Sequence, residues 1–270
     1  MKEPFVLKDG LLWLEDWMAR FPELTAGFTT TLNGFSAEPF KGLNLGYHVG
    51  DSPQVVGKNR EEMAKKVGIP LNHWVFAQQL HTKNVQEAGL GHAGAGTFDF
   101  DSGVGATDGL FTDEPGVVLG SFYADCTPVY FYVRLKRIVG VAHAGWKGTA
   151  SGIVLEMVEQ LKAKGAEPAD IFVAIGPAIS QAAYRVDEKV IQEVGRLPIP
   201  NPERAYVDLG GGQYKLDVKL LNVLQALHAG VPSENISVSS YCTYTDTDLF
   251  YSHRRTPGTG RMAAFICLRP

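Results

Sequence analysis

The stretch that decides the fold is IVGVAHAGWKGTASGIVLEMVEQLKAKG, residues 138–165. Its first six residues form a short apolar run, which predicts a buried strand over 138–143. After the glycine turn, the apolar residues fall on one helical face, which predicts a helix over 149–164 that Gly165 ends. A strand, a tight turn and a helix in succession are typical of a mixed α and β protein.

The same two signals recur on both sides of this stretch. Apolar runs predict further strands at 26–31, 74–79, 117–123, 128–134, 171–175, 236–241 and 261–268. Helices are predicted from Pro53, with Ser52 as N-cap, and over 216–228. Because 117–123, 128–134 and 138–143 follow each other closely, we expect antiparallel meanders with helices packed outside them.

Length, composition and charge exclude several classes of protein. The 270 residues are 45% hydrophobic and 20% charged, which excludes a disordered or low-complexity chain. A net charge of −4 argues against a general nucleic-acid binder. Three cysteines are too few for a disulfide framework. The sequence shows no signal-peptide core and no apolar span of about 18 residues, so we expect a cytoplasmic protein without a membrane partner.

Three residues next to predicted strands carry metal-ligand chemistry. His81 and His143 are predicted to end strands, and Cys126 follows a third strand. A thiolate and two imidazoles are zinc ligands, and three protein ligands leave the open position that catalytic zinc requires. Two other interpretations remain open. The residues are turn histidines with a buried cysteine, or Cys126 and His143 form a nucleophile–base pair.

Other segments are candidates for anion or substrate contacts, and each also has a purely structural interpretation. The strand–helix turn consists of Gly145, Trp146, Lys147 and Gly148. It either cradles an anion at the helix start, with added charge from Lys147, or is simply a tight turn. Asn44 and His48 either line a pocket or belong to a turn-rich connection. Near the C-terminus a glycine turn is flanked by the arginines of a basic segment, 252–261. These arginines, Arg254, Arg255 and Arg261, suit a phosphate or carboxylate ligand, or lie in a solvated hairpin.

Two aspartates are candidate acid/base groups or supporting carboxylates. Asp108 precedes a glycine, and Asp125 precedes Cys126. A carboxylate next to a metal ligand can orient that ligand or exchange a proton with substrate. An Asp before a glycine is more often a turn former, so Asp108 also has a purely local interpretation.

Seven segments, in order along most of the chain, resemble one family. They are GLNLGYHVGD (42–51), QLH (79–81), ATDGL (106–110), ADCTP (124–128), HAGWKGT (143–149), IGPAIS (175–180), and CTYTDTDLFYSHRR with GTGR (242–261). The resemblance is to the YfiH/YlmD-like laccase-domain proteins, also described as multicopper polyphenol oxidases and as purine nucleoside phosphorylases, and it is closest to the YlmD branch. The segment 181–186 departs from the family, because many relatives carry a cysteine pair there.

The resemblance implies an α+β fold, an α/β/β/α sandwich with mixed, largely antiparallel sheets in a single domain over residues 1–270. It implies metal ligation by His81, Cys126 and His143. The implied activity is phosphorolysis of adenosine, inosine and methylthioadenosine, with adenosine deamination. The implied partners are a nucleoside and phosphate, and Zn²⁺ is the expected cofactor, with Cu²⁺ a second candidate for the same site. We expect a monomer.

On that resemblance, further residues are assigned expected roles. Phosphate is expected at the 145–148 turn and Lys147, with an arginine such as Arg60 or Arg255. Gln79 joins the substrate-binding set, and Asp125 or Asp108 supplies a proton. The older activity, copper-dependent phenol oxidation, is tested by counting. A four-copper laccase needs about ten histidines, and this chain has seven, so a full laccase is excluded while a single copper remains an alternative. A cysteine hydrolase and a binding protein with a structural metal are the remaining alternatives.

Overall fold

The structure, a computed structural model, describes residues 2–269 and contains short strands and few long helices. The strands are β1 Val6–Lys8, β2 Leu11–Trp13, β3 Leu24–Thr29, β4 Trp74–Phe76, β5 Val85–Glu87, β6 Gly109–Thr112, β7 Val118–Tyr123, β8 Thr127–Val133, β9 Ile138–Ala144, β10 Ile171–Ile175, β11 Arg185–Asp187, β12 Tyr206–Gly210, β13 Gln213–Leu216, β14 Ile236–Val238 and β15 Met262–Leu268. The helices are α1 Glu15–Arg20, α2 Pro53–Val67, α3 Trp146–Ala150, α4 Ile153–Ala163, α5 Glu188–Gly195 and α6 Val218–His228.

These strands form two six-stranded sheets and one small sheet. The first sheet has the order β1-β2-β3-β15-β7-β4, and the second has the order β14-β10-β8-β9-β6-β5. Neighbours are antiparallel except for the pairs β4–β7, β10–β14 and β5–β6, which are parallel. The small sheet, β11-β13-β12, was not expected from the sequence.

Apolar side chains on both faces of the two large sheets create a four-layer molecule. One core joins the sheets, with Phe28 and Ile266 of the first sheet in the same cluster as Tyr132 and Val139 of the second. A second core packs the outer face of the second sheet against α4 and α6. A third packs the outer face of the first sheet against α2. This α/β/β/α order is the one expected.

The predicted meander of three consecutive strands was wrong. β8 and β9 pair antiparallel, but β7 pairs with β15 and β4 in the other sheet. The chain therefore crosses between sheets in the turn around Asp125 and Cys126. The apolar run could not reveal this, because strands of both sheets are buried on two faces and read alike.

Other boundaries differ in smaller ways. The helix predicted over 149–164 is two helices, α3 and α4, because Gly152 adopts φ +89° between them. The strand predicted over 74–79 ends at Phe76, so His81 lies in a turn well beyond its end. The helix at Pro53 begins as predicted, although the Ser52 side chain makes no capping hydrogen bond. Within residues 2–269, no helix is long and apolar enough to cross a membrane.

Candidate metal centre and its two cavities

His81, Cys126 and His143 converge where the two large sheets meet. One ligand atom from each lies within 4.8 Å of the other two, and no second group of this kind occurs in residues 2–269. His143 lies near the end of β9 and is buried, whereas His81 is exposed in the turn after β4. Cys126 lies in the crossover turn and is half-buried. The sheet crossover thus brings together residues that are far apart in sequence.

The buried carboxylate of Asp108 fixes both histidines. Its Oδ1 accepts a hydrogen bond from the main-chain N–H of His81 at 3.0 Å and contacts Nδ1 of His143 at 2.9 Å. Its Oδ2 accepts from the N–H and hydroxyl of Thr82 at 2.7 and 2.9 Å. These bonds hold His81 in a left-handed backbone conformation with φ +60°. They also leave Nε2 as the free nitrogen of His143.

The electrostatics favour a thiolate beside a charged His143 imidazole. Burial raises the pKa of the Cys126 thiol, but the nearby His143 and His81 imidazoles lower it by a larger amount. Burial lowers the pKa of His143, but the Cys126 sulfur and the Asp108 carboxylate raise it overall. Burial raises the pKa of Asp108, and its hydrogen bonds with His143 and Thr82 outweigh that effect and lower it. A thiolate is the form of cysteine that binds metals.

Asp125 anchors the C-terminal segment to the Cys126 turn. It is buried and has a left-handed backbone with φ +86°. Its Oδ1 accepts from the Thr243 hydroxyl at 2.7 Å, and its Oδ2 accepts from the Ser252 hydroxyl at 3.0 Å and from the Arg254 main-chain N–H at 2.7 Å. Both oxygens thus accept hydrogen bonds from the C-terminal segment, which favours a positioning role over the predicted proton donor.

Two cavities open on either side of the His–Cys–His group. The first, of about 330 Å³, is lined by Asp125, Trp146, Lys147, Tyr184 and Arg254 among others. The second, of about 360 Å³, is lined by His48, Gln78, Gln79, Phe100, Phe122 and Arg261 among others. Four residues line both, namely His81, Ala124, Cys126 and His253. The candidate metal centre is therefore the junction between two compartments.

The predicted site residues divide into those that line a cavity and those that support it. The metal group, Asp125, Gly145, Trp146, Lys147, His48 and Gln79 line one or both cavities. Asn44, Arg60, Asp108, Gly148 and Arg255 line neither. Asn44 binds the Asp51 carboxylate and fixes the 42–51 loop, while the Gln79 amide forms hydrogen bonds with both the N–H and the carbonyl of Phe122.

The hydrogen bonds of Arg60 and Arg255 favour structural roles for both residues over the expected contact with phosphate. The Arg60 guanidinium is buried and donates to the main-chain carbonyls of Leu45, Gly96 and Thr97. The Arg255 guanidinium likewise donates to carbonyls of the 243–250 segment. Both cations satisfy main-chain acceptors within the protein. The interpretation of the 145–148 turn as an anion cradle at a helix start is also weaker, because the helix that follows, α3, has only five residues.

Several cavity residues were missed by residue-level reasoning. They are Gln78, Phe100, Phe122, Tyr184 and His253. His253 and Arg254 lie beside Arg255 in a basic segment that the sequence did single out, but its spacing could not show which side chain faces inward. Phe122 belongs to a buried strand, where an aromatic residue is by default a core residue.

Comparisons with known proteins identify the class of this molecule. Residues 25–269 match the family described as multi-copper polyphenol oxidoreductase laccase. Together with the four-layer fold and the His–Cys–His group, this match places the chain among laccase-like proteins. The chain belongs to the YfiH/YlmD-like branch of that family, as the resemblance predicted.

The individual relatives cover almost the whole chain. The chain is 44% identical over 272 residues to purine nucleoside phosphorylase YlmD of Bacillus subtilis, covering 98% of each protein. The crystal structure of Bacillus licheniformis YfiH covers 99% of this chain and 100% of that one, with a TM-score of 0.96 and 43% identity. The structure of YlmD from Geobacillus stearothermophilus gives the same TM-score at 42% identity and covers 100% of each chain. The expected fold class is thereby confirmed.

Proposed function

We propose that this protein is a zinc-dependent purine nucleoside phosphorylase that converts adenosine, inosine or methylthioadenosine into the free base and ribose 1-phosphate. One observation carries the proposal: the His–Cys–His group lies at the junction of two cavities of sufficient size for two different reactants. The names of relatives that match the full chain support the same activity.

The donor set fits a zinc ion. His81, Cys126 and His143 offer two imidazoles and a thiol whose pKa is lowered, and Asp108 orients both histidines as a supporting carboxylate does. Zinc bound there would supply a Lewis acid beside the reacting bond. A single copper fits the same donors, but residues 2–269 hold no second ligand group for a copper cluster.

The first cavity suits phosphate. Lys147 and Arg254 both line it and are exposed to it from different segments. The Arg254 guanidinium donates to the carbonyl of Arg185 at 2.7 Å and stacks on the ring of Tyr184, so its position is defined. Thr127 also lines this cavity, and its buried hydroxyl has no hydrogen-bond partner in the part of the chain described. An anion would gain two cations and a hydroxyl donor.

The second cavity suits the purine. Phe100 and Phe122 provide apolar surface for a flat ring, and Gln78 provides an amide for hydrogen bonds to its edge. Loss of solvent around the His48 ring and the charges of Arg261 and Arg60 lower the pKa of His48 to about 4, so this imidazole is neutral near pH 7. A neutral imidazole can accept or donate one hydrogen bond to the base without repelling it.

In this arrangement the protein binds, orients and desolvates the two reactants. Lys147 and Arg254 hold the phosphate on one side of the sugar, and the aromatic cavity holds the base on the other. The phosphate oxygen is thus aligned for displacement of the base from the ribosyl carbon. Adenosine deamination is part of the same proposal, because zinc held at the junction would lower the pKa of a bound water beside the purine cavity.

Product analysis tests the proposal. Inosine and adenosine are incubated with zinc-loaded protein with and without phosphate, and products are separated by chromatography. We expect free base and ribose 1-phosphate only with phosphate, and inosine from adenosine without it. Arg254→Gln is expected to raise the KM for phosphate about tenfold or more, while Arg185→Gln, an exposed neighbour that lines neither cavity, serves as control. No nucleoside turnover under any condition would refute the proposal.

A second candidate is a cysteine hydrolase. The side chains of Asp108, His143 and Cys126 follow one another as the carboxylate, base and nucleophile of such an enzyme do. This function needs one imidazole, however, and the site aims two at the same thiol. A hydrolase would retain activity after complete zinc removal and lose it on alkylation of Cys126, whereas the phosphorylase would lose it on zinc removal.

A further inference from the structure

The side chain of His253 lies at the junction of the two cavities but belongs to neither the metal group nor the predicted substrate contacts. It is the one side chain besides those of His81, Ala124 and Cys126 that lines both cavities. Of these four residues, only His253 has a polar side chain and lies outside the metal group. Its imidazole makes no hydrogen bond or ion pair with residues 2–269, so both ring nitrogens remain available for a ligand.

The backbone around His253 is nevertheless fixed. One oxygen of Asp125 accepts the hydroxyl of Ser252 on one side and the main-chain N–H of Arg254 on the other. The hydroxyl of Ser252 also accepts the N–H of Arg255, at 3.1 Å. The turn is closed by the N–H of Thr256, which donates to the carbonyl of Ser252 at 2.9 Å. The backbone that carries this unpartnered side chain is therefore pre-organised, so little backbone order is lost when a ligand binds.

We propose that His253 is a catalytic residue that donates a hydrogen bond to the departing purine; this inference rests on the proposed phosphorolysis. In that reaction a phosphate oxygen forms a bond to the ribosyl carbon C1′ while the bond from C1′ to the purine nitrogen breaks. The electron pair of the broken bond goes to the purine ring. The N–H of His253 stabilises the negative charge that develops there, and water protonates the base after release. A donor aimed at developing charge lowers the barrier more than it strengthens substrate binding.

Its position between the phosphate cavity and the purine cavity is where this charge develops. Donors elsewhere in the second cavity, such as Gln78, lie on its wall and not at the junction. The same location explains why a buried carboxylate, Asp125, holds both neighbours of an exposed residue. Asp125 acts through His253 and Arg254 and is therefore a positioning residue.

The test compares two substrates that differ in how much the leaving base needs a donor. Inosine leaves with negative charge on its ring, whereas 7-methylinosine, whose base carries a positive charge in the nucleoside, leaves as a neutral base. His253→Ala is expected to lower kcat for inosine about 100-fold and to change kcat for 7-methylinosine by less than about threefold. His253→Gln, which retains an N–H donor, is expected to recover part of the loss.

Controls separate this proposal from the proposed function and from folding effects. His228→Ala removes an exposed histidine at the end of α6 and is expected to leave both rates unchanged. Unchanged zinc content and melting temperature in His253→Ala would show that the centre is intact. Equal losses on both substrates, or no loss on either, would overturn the role of His253. Failure of the wild-type protein to cleave either nucleoside would instead overturn the proposed function.

Discussion

Two residues at or next to the metal group occupy backbone conformations that non-glycine residues rarely adopt, and Gln79 of the second cavity is a third such residue. His81 has φ +60° and Asp125, next to Cys126, has φ +86°. Such conformations cost on the order of 1–3 kcal/mol each. The Asp108 carboxylate stabilises the first turn, and the hydrogen bonds of Thr243, Ser252 and Arg254 to Asp125 stabilise the second. The surrounding structure therefore keeps the ligands in place before any metal binds.

Gly145 packs closely against two of the three candidate ligands. A Cβ at this position would lie 3.0 Å from Sγ of Cys126 and 3.0 Å from Cδ2 of His81. Its backbone, φ −69° and ψ 168°, is one that alanine adopts freely. Gly145→Ala is therefore expected to weaken zinc binding about 10–100-fold, as displaced supporting contacts do, with the fold retained. Zinc titration with a competing chelator measures the effect.

Gly195→Ala is the matched control, because a Cβ at Gly195 meets no atom within 4 Å. This variant is expected to bind zinc like the wild-type protein. If Gly145→Ala also bound zinc with wild-type affinity, the proposed packing of Gly145 against the ligands would be wrong.

Arg60 is expected to contribute stability and not phosphate binding. It is 1% exposed and donates to three main-chain carbonyls, while its guanidinium lies 4.2 Å from the centre of the Tyr47 ring. Arg60→Met leaves those buried carbonyls without donors, so we expect the free energy of unfolding to fall by about 3 kcal/mol. Urea denaturation measures it. A raised KM for phosphate in a stably folded variant would contradict this assignment.

The chemical role that a residue type can play was easier to predict than the direction in which its side chain points. His81, Cys126 and His143 were found from residue type, and the family resemblance united them. Arg60, Arg254 and Arg255 could not be ranked, because an arginine that satisfies main-chain carbonyls and one that faces a cavity have the same signature in sequence. Only the fold distinguishes them.

At the scale of elements, the crossover from β7 to β8 is the feature that builds the site. It places Cys126 between the sheets, and hydrogen bonds across the sheet interface support it. Tyr130 and Tyr132, both on β8, reach the first sheet and its flank: Tyr130 donates to the carbonyl of Gly27 at 2.7 Å, and Tyr132 donates to the Glu23 carboxylate. Polar side chains thus tie together two sheets that otherwise meet through apolar contacts.

Because one of these tyrosines donates to a carboxylate and the other to a main-chain carbonyl, their contributions to stability should depend differently on pH. The hydrogen bond from Tyr132 lowers the pKa of Glu23, so this contact stabilises the fold above the carboxyl's unfolded pKa of about 4.3 and is lost as pH falls through the lower folded value. Tyr132→Phe is expected to cost about 1 kcal/mol at pH 7 and progressively less below about pH 4. Urea denaturation across this range measures it.

Tyr130→Phe is the matched control, since its acceptor is a main-chain carbonyl that does not titrate in this range. Its destabilisation is expected to be similar at pH 7 and below about pH 4. A cost for Tyr132→Phe that did not change with pH would contradict the role of the Glu23 charge.

Elements with long apolar runs or helical periodicity were predicted well, whereas short elements were not. The runs at 138–143, 171–175 and 261–268 are strands within one residue of the prediction. β1, β5 and β11, of three residues each, carry too few side chains for a period to show. Strand partners were the hardest to predict, because pairing depends on contacts distant in sequence.

At the scale of the whole molecule, the site lies at one edge of the interface between the two large sheets, the inner two of four layers. The core between the sheets contributes rigidity, and the two cavities open on either side of the group that this edge brings together. The family resemblance implied this architecture, but it could not show that the metal group divides two compartments. The single domain over residues 1–270 and the monomeric state stay predictions.

The most direct test of the central claim is phosphorolysis rate as a function of zinc occupancy. Metal-free protein is titrated with zinc while ribose 1-phosphate formation from inosine is measured, with Cys126→Ser in parallel. The account predicts a rate that rises in proportion to bound zinc, reaches a plateau at one zinc per chain and is absent in Cys126→Ser. A metal-free protein that cleaves inosine at the full rate, or a plateau unrelated to one zinc per chain, would contradict it.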